Sequence, residues 1–152
     1  MQIWAIPPNP HNNDPRTPTM HNVHVATHTL WRLIRRALAT GARASKFSKH
    51  IAKECSRCGM LETDSHLFFH CTFAKVVWFS TTLGLRTDAY DTTLYPSNIV
   101  HAMLQIHQPE NSVDKIFTLL WCIWKARNDF LFNRSDELKE NVVRVWKEKK
   151  KW

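Results

Sequence analysis

Cys55, Cys58, His66 and Cys71 form the run C-x2-C-x7-H-x4-C, which limits what this chain can fold into more than any other feature. Three thiols and one imidazole make up the ligand set of a closed tetrahedral zinc site. Their soft and borderline-soft donor atoms suit Zn2+ and poorly suit Mg2+ or Ca2+. With all four positions taken by protein, such a site cross-links the chain and leaves no position for a reacting water. Two residues between Cys55 and Cys58 let both sulfurs reach one ion, and Gly59 supplies a residue at ease in the left-handed conformation beyond the turn. Thr63 or Asp64 can cap a short helix that turns His66 back toward the thiols. His70, directly before Cys71, is the rival imidazole, but it would have to chelate with almost no intervening loop. A redox role for the C-x-x-C pair would require a βαβ pattern, which the sequence lacks. Three of the four cysteines fall in this cluster, which points to a reducing compartment rather than a disulfide framework. Cys122 lies apart in an apolar helical run, where it reads as a small packed hydrophobe.

Around the cluster the periodicity is helical. Leu30, Leu33, Ile34, Ala37 and Leu38 recur as an amphipathic stripe, with Arg32, Arg35 and Arg36 on the opposite side and Gly41 as a stop. Arg43, Lys46, Lys49 and Lys53 carry the basic character through a second short helical stretch. Phe73, Val76, Val77 and Ser80 predict a helix over about 72–83, with Thr72 as N-cap. Residues 84–96 read as a loop ending in Pro96 and a Ser97 cap. Ile99, Val100, Met103, Leu104 and His107 mark the next helix. From a Ser112 cap, Val113, Ile116, Phe117, Leu120, Trp121 and Trp124 form one apolar face extended by Leu131, with Lys125, Arg127 and Asp129 turned elsewhere. A last helix is expected from a Ser135 cap, with Asp136 and Glu137 in its first turn and Lys147, Lys149, Lys150 and Lys151 at its end. No convincing strand is present, and no apolar run reaches the length of a membrane span. The expected fold is all-α: a small helical domain around one structural zinc. An irregular N-terminal segment (1–28, rich in Pro, Asn and His without period), a helical zinc domain (29–133) and a basic C-terminal helix (134–152) follow from this reading.

Charge is unevenly distributed. Residues 1–53 hold eight Lys and Arg against one acid, Asp14, whereas the remainder holds thirteen against twelve. A basic half beside a near-neutral half suggests a polyanionic partner, with nucleic acid first. Arg32, Arg35, Arg36, Arg43, Lys46 and Arg57 are the expected phosphate contacts.

Leu30-Trp31-Arg32-Leu33, Cys55-x-x-Cys58, Glu62-Thr63-Asp64-Ser65-His66-Leu67-Phe68-Phe69-His70-Cys71 and Val77-Trp78 together resemble a known family. It is the zinc-binding domain that follows the reverse transcriptase in plant non-LTR (LINE-type) retroelements. Ile123-Trp124-Lys125-Ala126-Arg127-Asn128-Asp129-Phe130-Leu131-Phe132 resembles the helix that joins that domain to a ribonuclease H-like domain. The resemblance implies Cys55, Cys58, His66 and Cys71 as zinc ligands. Trp4-Ala5-Ile6-Pro7-Pro8 resembles the family's leading W-x-x-P-P-K stretch, but lacks its Lys and is followed by twenty unpatterned residues. Ala39 stands where the family usually has Pro. Reverse transcription needs carboxylates that hold two metals, and Tyr90-Asp91-Thr92-Thr93 does not supply them. The expectation is a non-catalytic, zinc-stabilised module from a retroelement polyprotein that binds RNA or DNA. The alternatives are a spacer between polymerase and ribonuclease H-like domains, or an inactive gene relic.

Overall fold

The computed structural model describes residues 28–106, 112–132 and 139–148. They form six α-helices: α1 (28–34), α2 (Gly41–Ala44), α3 (Thr72–Ser80), α4 (Pro96–Ile106), α5 (Ser112–Phe132) and α6 (Lys139–Glu148). A π-helical turn, His66–His70, precedes α3, and a 3-10 turn, Thr87–Ala89, lies between α3 and α4. Among the described residues there is no strand, only an isolated antiparallel bridge between Glu54 and Leu61. No described helix is long and apolar enough to cross a membrane.

The first helix is shorter than its apolar stripe predicts. It stops through a pair of capping bonds: Ala37 N–H donates to Arg32 C=O at 2.8 Å and Arg36 N–H to Leu33 C=O at 3.1 Å. Arg36 takes the left-handed position of that cap, with φ of 53°. The stop therefore comes five residues before Gly41, and the reversal carries Leu38 into the core while Ile34 stays half exposed. Gly41 instead opens α2. A Cβ there would meet the carbonyl oxygens of Ala52 at 2.8 Å and Lys53 at 2.9 Å, so only glycine lets these backbones approach so closely.

Other boundaries shift for similar local reasons. Cys71, extended at φ −60° and ψ 140°, is the N-cap of α3, so Thr72 is the first helical residue. Pro96 is the first residue of α4 and Tyr95 precedes it, its carbonyl accepting from Asn98 and Ile99; proline suits that position because it has no amide to leave unpaired. Ser112 lies within α5. His107, Ser135, Asp136, Glu137 and Lys149 to Lys151 lie outside the described residues.

The core is built from Phe68 and Phe69 of the π turn, Val77 and Trp78 of α3, Ile99 and Met103 of α4, Ile116, Leu119, Leu120 and Ile123 of α5, and Val142 and Trp146 of α6. Phe68 stacks on Trp124 and Phe69 on Trp78, with centroids 6.4 and 5.7 Å apart. The π turn leaves buried carbonyls that lack helical partners. The Trp78 indole donates to Phe68 C=O at 2.7 Å and the Thr87 hydroxyl to Phe69 C=O at 2.6 Å. This satisfaction matters because an orphaned buried carbonyl costs about 1–3 kcal/mol. The α5 face actually buried is rotated from the expected one: Val113 and Leu131 are exposed, whereas Leu119, Ala126 and Arg127 are buried. Cys122 is buried among them.

Candidate metal centre

The knuckle folds because its backbone closes on itself. Cys55 N–H donates to Met60 C=O at 2.6 Å and Gly59 N–H to Cys55 C=O at 2.8 Å. Gly59 has φ of 78°, where a side chain would be strained. Thr63 caps the next turn: its hydroxyl accepts from His66 N–H at 3.1 Å and its carbonyl from Leu67 N–H at 3.0 Å. His66 then lies on a helical turn facing the knuckle. The i to i+5 bond from Cys71 N–H to His66 C=O, 2.7 Å, places Cys71 on the same side.

The thiols of Cys55, Cys58 and Cys71 and one ring nitrogen of His66 all fall within 4.8 Å of one another. Cys55 Sγ and Cys71 Sγ are 3.9 Å apart. Zn–S bonds of about 2.3 Å in a tetrahedron give sulfur separations near 3.8 Å. Cys58 Sγ lies 3.1 Å from His66 Nε2, which identifies Nε2 as the ring atom facing the thiols. Ligand number, donor type and spacing fit a structural zinc, and these four residues would hold one such ion. Zinc bound there would cross-link the knuckle to the start of α3.

Charge at the site already favours a cation. The Cys71 thiol, donating toward Cys55, pushes the Cys55 pKa down to about 3, with His66 adding to the effect against opposing burial. The same shared proton, together with burial, pushes Cys71 up. A cation bound here would take the place of the proton that the two sulfurs share. His70 lies outside this group. Its Nε2 is buried without a hydrogen-bond partner among the described residues, and burial pushes its pKa down.

Two residues that periodicity did not single out brace the centre. Glu62, between the second and third ligands, accepts from Gly41 N–H at 2.7 Å and from Arg127 Nη2 at 2.6 Å. Arg127 also lies over the Trp124 ring, 5.1 Å from its centroid. No local pattern announces the pair, because its members belong to segments that meet only in the tertiary fold.

The six residues expected to contact phosphate are divided by the structure. Arg43 is committed internally: it holds both Asp64 oxygens, at 3.0 and 2.9 Å, and the carbonyl of Leu38. Arg57 is packed between the rings of Phe73 and Phe130, at 3.8 and 4.6 Å. Arg35 lies over Trp31 and Arg36 over Tyr95, yet both are exposed, as is Lys46. Arg32 is half-buried on α1.

Comparison with known proteins agrees with the centre. No curated protein and no solved structure matches the chain. Residues 12–78 match the family described as zinc-binding in reverse transcriptase. That stretch holds all four ligands and ends at Trp78, inside α3, before the α5 helix begins. Over residues 12–78, then, this chain is similar to the zinc-binding domain of reverse transcriptases, and its Cys3His cluster falls within that stretch.

Proposed function

We propose that the chain is a non-catalytic nucleic-acid-binding module of a retroelement reverse transcriptase polyprotein, of the plant LINE type its sequence resembles, held in shape by zinc. The observation that carries this reading is the series of exposed cations that precedes the metal ligands in sequence: Arg35, Arg36, Lys46, Lys49 and Lys53. Arginine stacking on Trp31 and Tyr95 uses the guanidinium faces and leaves in-plane N–H groups for phosphate oxygens. The exposed lysines add point charges that read backbone rather than base sequence. The full set of protein ligands supports a structural rather than hydrolytic metal.

Fluorescence anisotropy of labelled single-stranded RNA and duplex DNA, titrated with zinc-loaded protein across salt concentrations, tests the reading. Affinity is expected to fall steeply with salt through counterion release. Absence of binding at low salt overturns it.

Exposed Met60, Phe79 and Ile106 favour a second reading, a spacer that docks against polymerase or ribonuclease H-like neighbours. Self-association of the isolated chain in sizing experiments is its expected signature.

A further inference from the structure

The segment 44–56 and the C-terminal half of α5 face each other across an open groove of about 670 Å3. Trp124 and Arg127 lie at its base, Phe47 and Ile51 on one wall, Leu131 and Phe132 on the other. Its size is that of a site for a small organic group, and its lining is mainly apolar. Phe47 is 86% exposed and Phe132 54%, so two large rings stand at the groove with most of their surface open.

Charge indicates what fits there. In sequence Lys46 precedes and Lys49 follows Phe47, with Lys53 beyond; all three are exposed, and none lines the groove itself. Between residues 41 and 60 the chain carries five Lys and Arg and one acid, Glu54, which also lines the groove. The lysines nearest Phe47 are thus unopposed in sequence; of the two carboxylates that line the groove, Glu62 is paired with Arg127, and Glu54 disfavours phosphate at the end beside the knuckle. An apolar peptide would gain nothing from the lysines that neighbour Phe47 in sequence. A polyanion with flat apolar rings gains from both features.

We propose that this groove binds single-stranded nucleic acid, with an unstacked base against Phe47 and Phe132 and the adjoining backbone on Lys46 and Lys49. Exposed aromatic rings accept bases through their π faces, and nearby lysines follow the phosphates. A duplex keeps its bases stacked on each other and offers only the backbone. The inference rests on the nucleic-acid reading above and deepens it by naming the strand state and the place of binding. It also gives the zinc a role in binding, because Cys55 and Ser56 belong to the groove wall and the metal fixes that wall.

The test uses the zinc-loaded full chain, a labelled oligouridylate and a labelled DNA duplex. Phe47→Ala is expected to weaken oligouridylate binding roughly five- to a hundredfold, the loss associated with one base–aromatic stack. Duplex affinity, zinc content and Tm should stay at parent values, and Phe47→Trp should retain oligouridylate binding. A paired Lys46→Glu and Lys49→Glu variant should weaken both ligands. If Phe47→Ala leaves oligouridylate affinity unchanged, or weakens both ligands alike, the stacking groove is wrong while the nucleic-acid reading stands. If the parent binds neither ligand at low salt, both fall.

Discussion

Glu62 and Arg127, 65 residues apart in sequence, meet as a buried ion pair with 2.6 Å between Glu62 Oε1 and Arg127 Nη2. The same carboxylate oxygen receives the Gly41 amide, so one side chain joins the start of α2, the ligand loop and α5. Pairing and hydrogen bonding make the burial tolerable, and removing one partner exposes its full cost. Arg127→Leu is expected to destabilise the fold by about 3–5 kcal/mol, the usual range for breaking a buried pair. Glu62→Gln keeps an acceptor for Gly41 and should cost less than Glu62→Leu, which also strands that amide. Urea denaturation of the three zinc-loaded variants checks the order; an Arg127→Leu midpoint equal to the parent's would contradict it.

The zinc site gives a second prediction, with a defined pH direction. A structural zinc contributes roughly 10–16 kcal/mol of apparent binding energy, comparable to the net stability of an ordinary domain. Cys58→Ser should therefore lose zinc and unfold the knuckle, and excess chelator should do the same to the parent. Because Cys71 is pushed up, it yields a proton as metal binds, and the imidazole must be neutral to ligate. Protons compete with the metal, so acidification should release zinc and alkaline conditions should favour retention. A chromogenic zinc indicator read across a pH series measures this, and release that rises with pH would overturn the ligand assignment.

What the sequence could show depended on how local each feature is. The four ligands lie within one short run, so their spacing alone suggested the cluster. The turn that aims His66 was also legible, because Thr63 acts on an amide three residues away. The end of α1 was not legible. Its stop uses Arg36 in a left-handed position where glycine is usual, and the Arg36 ring contact with Tyr95 comes from a distant segment. Arg127 was misread for the same reason: helical periodicity places a charged residue outward, and only the arrival of Glu62 makes its burial favourable. The side of α5 that faces the core is likewise set by where Phe68 and α6 pack, which periodicity along α5 alone cannot specify.

Gly41 supplies a third prediction. A methyl group at this position points at the carbonyls of Ala52 and Lys53, and backbone cannot swing aside as a flexible side chain can. Gly41→Ala should cost about 1–3 kcal/mol through overpacking. The strain would fall on the segment that leads into Cys55, so zinc affinity should weaken as well. Competition with a chelator of known affinity, run beside thermal melts, separates the two effects. A variant that melts and holds zinc like the parent would show that the two backbone segments can part at no cost.

The last prediction separates cations that build the fold from those that face a ligand. Arg43 grips Asp64 through two nitrogens and also reaches Leu38 C=O, so its charge is largely spent inside the protein. Lys46, three residues later, is exposed. Arg43→Ala should therefore lower Tm and leave Asp64 without its partner, while any loss of RNA affinity follows the loss of folded protein. Lys46→Ala should leave Tm unchanged yet reduce the slope of log affinity against log salt by about 0.7 for a single strand, the value for one phosphate contact. Thermal melts and salt-dependent anisotropy on the two variants give a crossed result if this division is right. If Arg43→Ala keeps its Tm and loses the salt slope, Arg43 reaches phosphate in the complex and the Asp64 pair must open on binding.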